Sequence, residues 1–154
     1  MVCASSGSPG WLTVSLAPLA DSFVAAWETL NWRFEAQRFS LTGEPLGAPQ
    51  PALPSLGGIS SVPVASDGTD RFALGWTVRE RRTEPQTGQQ LDDFETRARF
   101  FDADGASSPE VRPNRLFTGN QQLVGLAMNR DGLTLATWQS DRNYPVSSLD
   151  VSVQ

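Results

Sequence analysis

The sequence predicts an all-β fold built from about three copies of one small sheet. Three observations predict it. Apolar runs of strand length end in tryptophan three times, as "SFVAAW" (22–27), "RFALGW" (71–76) and "LTLATW" (133–138). A second short apolar run precedes each of them across a turn rich in Asp, Gly and Ser. No window longer than about ten residues keeps a helical apolar stripe free of Gly or Pro.

Each copy opens with a hairpin. The first strands are "LTVSLAPL" (12–19), "ISSVPVA" (59–65) and "LVGLAMN" (123–129), joined to the tryptophan runs through "ADS", "SDGTD" and "RDG". Asp-Gly between apolar runs favours a tight turn, because glycine accepts positive φ. A branched residue followed by alanine recurs as Leu16-Ala17, Val64-Ala65 and Leu126-Ala127, and the tryptophan follows 11, 12 and 12 residues after the branched one. Third strands follow in "FEAQRFSLTG" (34–43) and "TRARFFDADG" (96–105), with Ala36/Ala98, Phe39/Phe101 and Gly43/Gly105 at a constant offset of 62. Proline-bearing stretches come next, "EPLGAPQPALP" and "ASSPEVRPNRLF", which suit an outer edge because proline gives no ladder N–H. The third copy stops at "LDVSVQ".

Repetition at this period, with four short antiparallel strands per copy, predicts β-propeller-like blades: two full blades and most of a third, hence an incomplete ring. A β-sandwich is the alternative. The organisation is an N-terminal segment 1–11, repeats at 12–58 and 59–122, and a partial repeat at 123–154. Residues 2–11, with Trp11, are a candidate outer strand for the last blade. Tryptophan spacings of 49 and 62 place an insertion in the second copy, "RERRTEPQTGQQLDD" (79–93), which reads as a long exposed hairpin loop. Trp27, Trp76 and Trp138 are expected to fill the space between adjacent sheets, with the small Ala26, Gly75 and Thr137 where strands approach closely.

The stretch "DSFVAAWETL…FEAQRFSLTGEPLG", and "ARFFDADG" in the second copy, resemble bacterial secreted repeats of the form "GGFVVAW…YAQRFDADGNALG". The resemblance covers the chain from residue 12 onward. It implies propeller-like blades in an exported protein, hence an extracellular, cell-surface or periplasmic setting. "MVCASSGSPG" resembles the start of a mature bacterial lipoprotein, with Cys3 as the lipid carrier; an incidental thiol in a frayed terminus is the competing reading.

Composition removes several classes of chemistry. There is no histidine, so triads and metal sites that need one are absent. Cys3 is the only cysteine, which excludes an intrachain disulfide. The net charge is −5, and the basic cluster Arg79, Arg81 and Arg82 is interleaved with Glu80 and Glu84, so nucleic acid is not an expected partner. No run reaches the roughly 20 apolar residues of a membrane-spanning helix, and no signal-peptide pattern opens the sequence.

The remaining candidates are specific. Asp102 and Asp104 in "DADG" could hold calcium, but they do not follow the twelve-residue calcium-loop spacing and also suit a plain turn; no cofactor is expected. Asp92, Asp93 and Glu95 are acidic, yet nothing fixes a pair of carboxylates across a bond, so an enzyme is not expected. Trp32 and Tyr144, in equivalent connections, together with Arg79, Arg81 and Arg82, are the candidate ligand-binding residues. The expected function is a non-catalytic assembly module that docks to itself, to a partner or to the rest of a longer chain. A glycan-binding module and a fragment of a propeller glycosidase are the alternatives.

Overall fold

The computed structural model describes residues 14–28, 33–54, 62–83, 85–113, 120–140 and 151–153, with backbone alone at 33, 51–54 and 151–153. The protein is all-β. The strands are β1 (Val14–Pro18), β2 (Ser22–Glu28), β3 (Arg33–Ser40), β4 (Pro45–Pro54), β5 (Val64–Ser66), β6 (Phe72–Thr83), β7 (Gln90–Phe101), β8 (Gln121–Met128), β9 (Thr134–Ser140) and β10 (Val151–Val153). They form three antiparallel sheets, ordered β1-β2-β3-β4, β5-β6-β7 and β8-β9-β10. Among the described residues no helix is long and apolar enough to cross a membrane.

The three sheets share one register. The residue two before each tryptophan pairs with the branched residue of the first strand: Ala25 with Leu16, Leu74 with Val64, and Ala136 with Leu126. The residue three before it pairs with the following alanine: Val24 with Ala17, Ala73 with Ala65, and Leu135 with Ala127. In the third strands, Ala26 pairs with Ala36, Gly75 with Ala98, and Thr137 with Val151. An aromatic pair also repeats. Phe23 stacks on Phe39 at 5.5 Å, and Phe72 on Phe101 at 4.6 Å.

Side chains alternate between the faces of a strand, so this register gives every sheet two unlike faces. One carries the branched residue and the tryptophan. The other carries the alanines and the small residue before the tryptophan. The sheets stack in chain order, small face against tryptophan face. Ala17, Val24, Ala26, Phe34 and Ala36 of the first sheet share a buried cluster with Phe72, Leu74, Trp76 and Phe101 of the second, and Val64 and Val78 pack against it. Between the second and third sheets, a Cβ on Gly75 would stand 2.3 Å from Leu123 Cδ2 and 3.0 Å from Leu126 Cδ1. A side chain at 75 would have to displace the Leu123 and Leu126 side chains. The Leu123 backbone N–H also donates to Thr77 Oγ1 at 3.0 Å across this interface.

The turns reinforce the stack. Asp67 accepts from the Thr69 backbone N–H and hydroxyl and from Arg71 Nε, at 2.6–2.8 Å. Arg71 then reaches the Arg130 carbonyl in the β8–β9 turn at 2.9 Å. Arg38 of the first sheet donates to the Asp70 and Ala103 carbonyls of the second and lies over the Phe72 ring. The Ala20 N–H donates to the Thr69 carbonyl at 2.8 Å.

Three features depart from the sequence expectation. The segment 79–93 is a hairpin of which little is loop: β6 and β7 pair without interruption from Phe72–Phe101 to Thr83–Gln90, so a two-stranded ribbon carries most of it. Among the described residues, the outer strand expected in the second sheet is represented by two isolated bridges, Ala98 with Val111 and Phe101 with Ser107. Pro109 and Pro113 flank Val111 and withhold ladder donors, and Ser108 Oγ takes the Phe100 N–H. Trp76 and Trp138 are buried between sheets as expected, but Trp27, on the outward face of the first sheet, is half-buried. The segment 1–11, with Trp11, lies outside the described residues.

The glycine contact sets an expected outcome. Gly75→Val should destabilise the protein by roughly 1–3 kcal/mol through overpacking, read as a lower urea midpoint. Adding Leu123→Ala should return part of that loss; a simple sum of two losses would contradict the contact.

Candidate functional site

The sequence candidates fall into three groups. Trp32, Tyr144 and Cys3 lie outside the described residues. Asp102 and Asp104 sit in the turn after β7, where Gly105 N–H bonds the Asp102 carbonyl and Asp104 Oδ1 accepts the Ala106 N–H, both at 3.0 Å. Gly105 has φ +84°. The same turn occurs at 40–43 without any Asp, with Gly43 N–H on the Ser40 carbonyl, so backbone geometry accounts for it. Among the described residues no group of three or more His, Cys, Asp or Glu is placed to hold a metal.

Arg79, Arg81 and Arg82 lie on the β6–β7 ribbon, each against a carboxylate. Arg79 and Arg81 share Asp92, the latter at 3.2 Å, and Arg82 bonds Asp93. The hydrogen bonds from Arg79, then Arg81, hold the Asp92 carboxyl below its usual range. The three cations are therefore matched within their own hairpin rather than forming a bare basic patch. Arg79, Arg81 and Asp92 share one face of the ribbon, and Arg82 and Asp93 lie on the other with Arg97. Arg97, with a side chain 4% exposed, is bonded by Glu80 and by Glu110 at 2.8 Å, with Glu95 4.0 Å away. Arg112 joins Glu80 at 2.9 Å. Desolvation, then repulsion from Arg112, pushes the Arg97 guanidinium down, and Glu110 opposes the shift. The buried guanidinium is thus held by Glu80 and Glu110, whose own side chains are 40% and 37% exposed.

Between the second and third sheets a cavity of about 20 Å³ is lined by Ala98, Phe100, Val111, Leu126 and Ala136 among others. That is room for one water in an apolar lining, far short of a small-molecule pocket.

The remaining candidate surfaces are the outward faces of the end sheets. The first sheet turns outward the face that is buried in the other two. Leu16 is 63% and Val14 58% exposed, with Trp27 half-buried, while Ala25 and Phe39 are covered. The third sheet turns outward its small face. Ala127 is exposed there, and Leu135 and Thr137 are half-buried, whereas the matching Ala17 and Ala65 are 4% and 6% exposed. At Leu16 and Ala127 exposure follows position in the stack; at Ala25 and Phe39, covered although on an end face, it does not.

Glu28 was not singled out by the sequence. It follows Trp27 as Thr77 follows Trp76, and faces the second sheet. Thr77 finds the Leu123 N–H, but Glu28, 6% exposed, keeps Oε1 without a hydrogen-bond partner. Trp76 Nε1 is likewise unpaired on this interface. The signal available in the sequence was a carboxylate at a position where the other copies carry neutral Thr77 and Gln139. Burial raises the Glu28 pKa, whereas Asp67 is held at about 2, because bonds from Thr69 and Arg71 outweigh the upward push of its own burial.

No protein-family model, curated protein or solved structure matches the chain.

The Glu28 geometry sets a pH dependence. A carboxyl whose folded pKa is raised costs nothing below its unfolded value of about 4.3, where both states are neutral. The cost grows as pH rises and is complete above the folded pKa. Glu28→Gln should therefore raise stability at pH 7, by roughly 1 kcal/mol, with little difference near pH 3.5. Thermal melts across that range check it; an equal gain at both pH values would contradict the assignment.

Proposed function

We propose that the protein is a non-catalytic assembly module that docks through the outward faces of its end sheets, the three sheets acting as propeller-type blades. The observation that carries this reading is the repeated register. Two internal interfaces use one small face and one tryptophan face each, and one face of each kind is left over at the ends. Rows of exposed apolar side chains on a sheet face commonly mark an interaction surface. An exported setting enters this reading through the resemblance to secreted repeats. The described residues supply nothing that favours the glycan alternative, since the ribbon arginines already hold carboxylates.

Light scattering across a concentration series tests the proposal. Assembly predicts a mass above 16.7 kDa that increases with concentration, or a stable oligomer. A mass of one chain throughout, together with failure of hydrophobic dyes to report on the end faces, would contradict it.

A further inference from the structure

Resting on that reading, we infer that the occupant of the end faces is a second copy of this chain, docked head to tail, third sheet against first sheet. The two end faces are the two halves of an interface the protein already builds twice. At the second–third interface, Gly75 stands against Leu126. In the common register, Gly75 corresponds to Thr137 and Leu126 to Leu16. A third sheet stacked on the first sheet of another copy therefore places Thr137 against Leu16, and Ala127 beside them. Leu16 and Ala127 are exposed in the single chain, while their counterparts within it are more deeply covered.

The alternative of like faces meeting is physically poorer. Two tryptophan faces would set Leu16 and Trp27 against their own copies without the small residues that admit them. Two small faces would leave voids, and voids in a packed interface lose contacts outright.

The contact is heterologous, so it either closes on itself or runs on. The described residues of each chain form three sheets. Closed propellers hold 4–8 blades, and six is the only multiple of three in that range. Two chains then form a ring of six sheets through two identical contacts.

The test uses two substitutions at exposed positions, Leu16→Arg and Ala127→Arg. The wild-type chain should have twice the mass of a single chain. Each variant alone should have the mass of one chain, because each spoils one side of both contacts. An equimolar mixture should recover a two-chain species, since the intact third sheet of L16R still meets the intact first sheet of A127R. Matching circular dichroism and a cooperative melt establish that both variants fold. An oligomer that both substitutions leave unchanged would overturn head-to-tail docking while leaving assembly in place. A mixture that stays monomeric would also overturn it; a mass that keeps growing past two chains with concentration, the open filament, would keep the head-to-tail contact and overturn the two-chain ring. A wild-type monomer at every concentration would overturn the second copy as occupant and count against the assembly reading as well.

Discussion

Gly75 has no side chain, and Leu123 and Leu126 of the next sheet occupy the space where one would begin. The rest of the stack depends on this constraint. For two sheets to meet at such a distance, one must offer a surface close to bare backbone and the other must fill it. Alanine and glycine on one face and tryptophan, leucine and valine on the other meet that requirement. Because alternation fixes which residues share a face, the choice at one position commits the whole strand. A one-residue slip of β9 would set the small residues of the second and third sheets together and turn Trp138 to solvent, and a slip of β6 would drive Trp76 into the space that Leu123 and Leu126 fill.

That commitment gives the molecule a direction. The middle sheet treats its preceding and its following neighbour differently, and the polar contacts respect the same order. Arg38 reaches from the first sheet to carbonyls of the second, and Arg71 from the second to a carbonyl of the third. Asp67 orients Arg71, so a turn carboxylate in the middle sheet takes part in holding the last one. Glycine at 132 has φ +86°, and a Cβ there would stand 3.0 Å from Arg71 Nη1. The apolar faces set the spacing, and the arginines at the turns pin the lateral position.

Much of this was legible in the sequence. The tryptophan frame, the Leu16-Ala17, Val64-Ala65 and Leu126-Ala127 pairs and the offset of Ala36 and Ala98 gave hairpins, strand order and register, because each is a local pattern of period two. The ribbon at 79–93 was not legible as strand. Its faces are both charged, so no apolar alternation marks it; what holds it is cross-strand matching of Arg79, Arg81 and Arg82 with Asp92 and Asp93, which only the pairing reveals. The isolated bridges that represent the outer strand of the second sheet depended on the Ser108 hydroxyl and on two prolines acting together. The burial of Glu28 and of Arg97 depends on neighbouring strands and sheets, and a single strand's sequence carries no mark of them. For the candidate site, the end faces followed from counting copies, whereas the arginine cluster looked available until its carboxylates were placed.

The most direct test of the directional interface is disulfide trapping between copies. In a Cys3→Ser background, which removes the only native thiol, Leu16→Cys and Thr137→Cys are introduced into separate chains, mixed and oxidised mildly. A head-to-tail contact built like that of Gly75 on Leu126 predicts a covalent two-chain product in the mixture and much less from either variant alone. Efficient cross-linking of Leu16→Cys to itself, with none to Thr137→Cys, would mean that like faces meet and that the direction built into the stack does not extend beyond one chain.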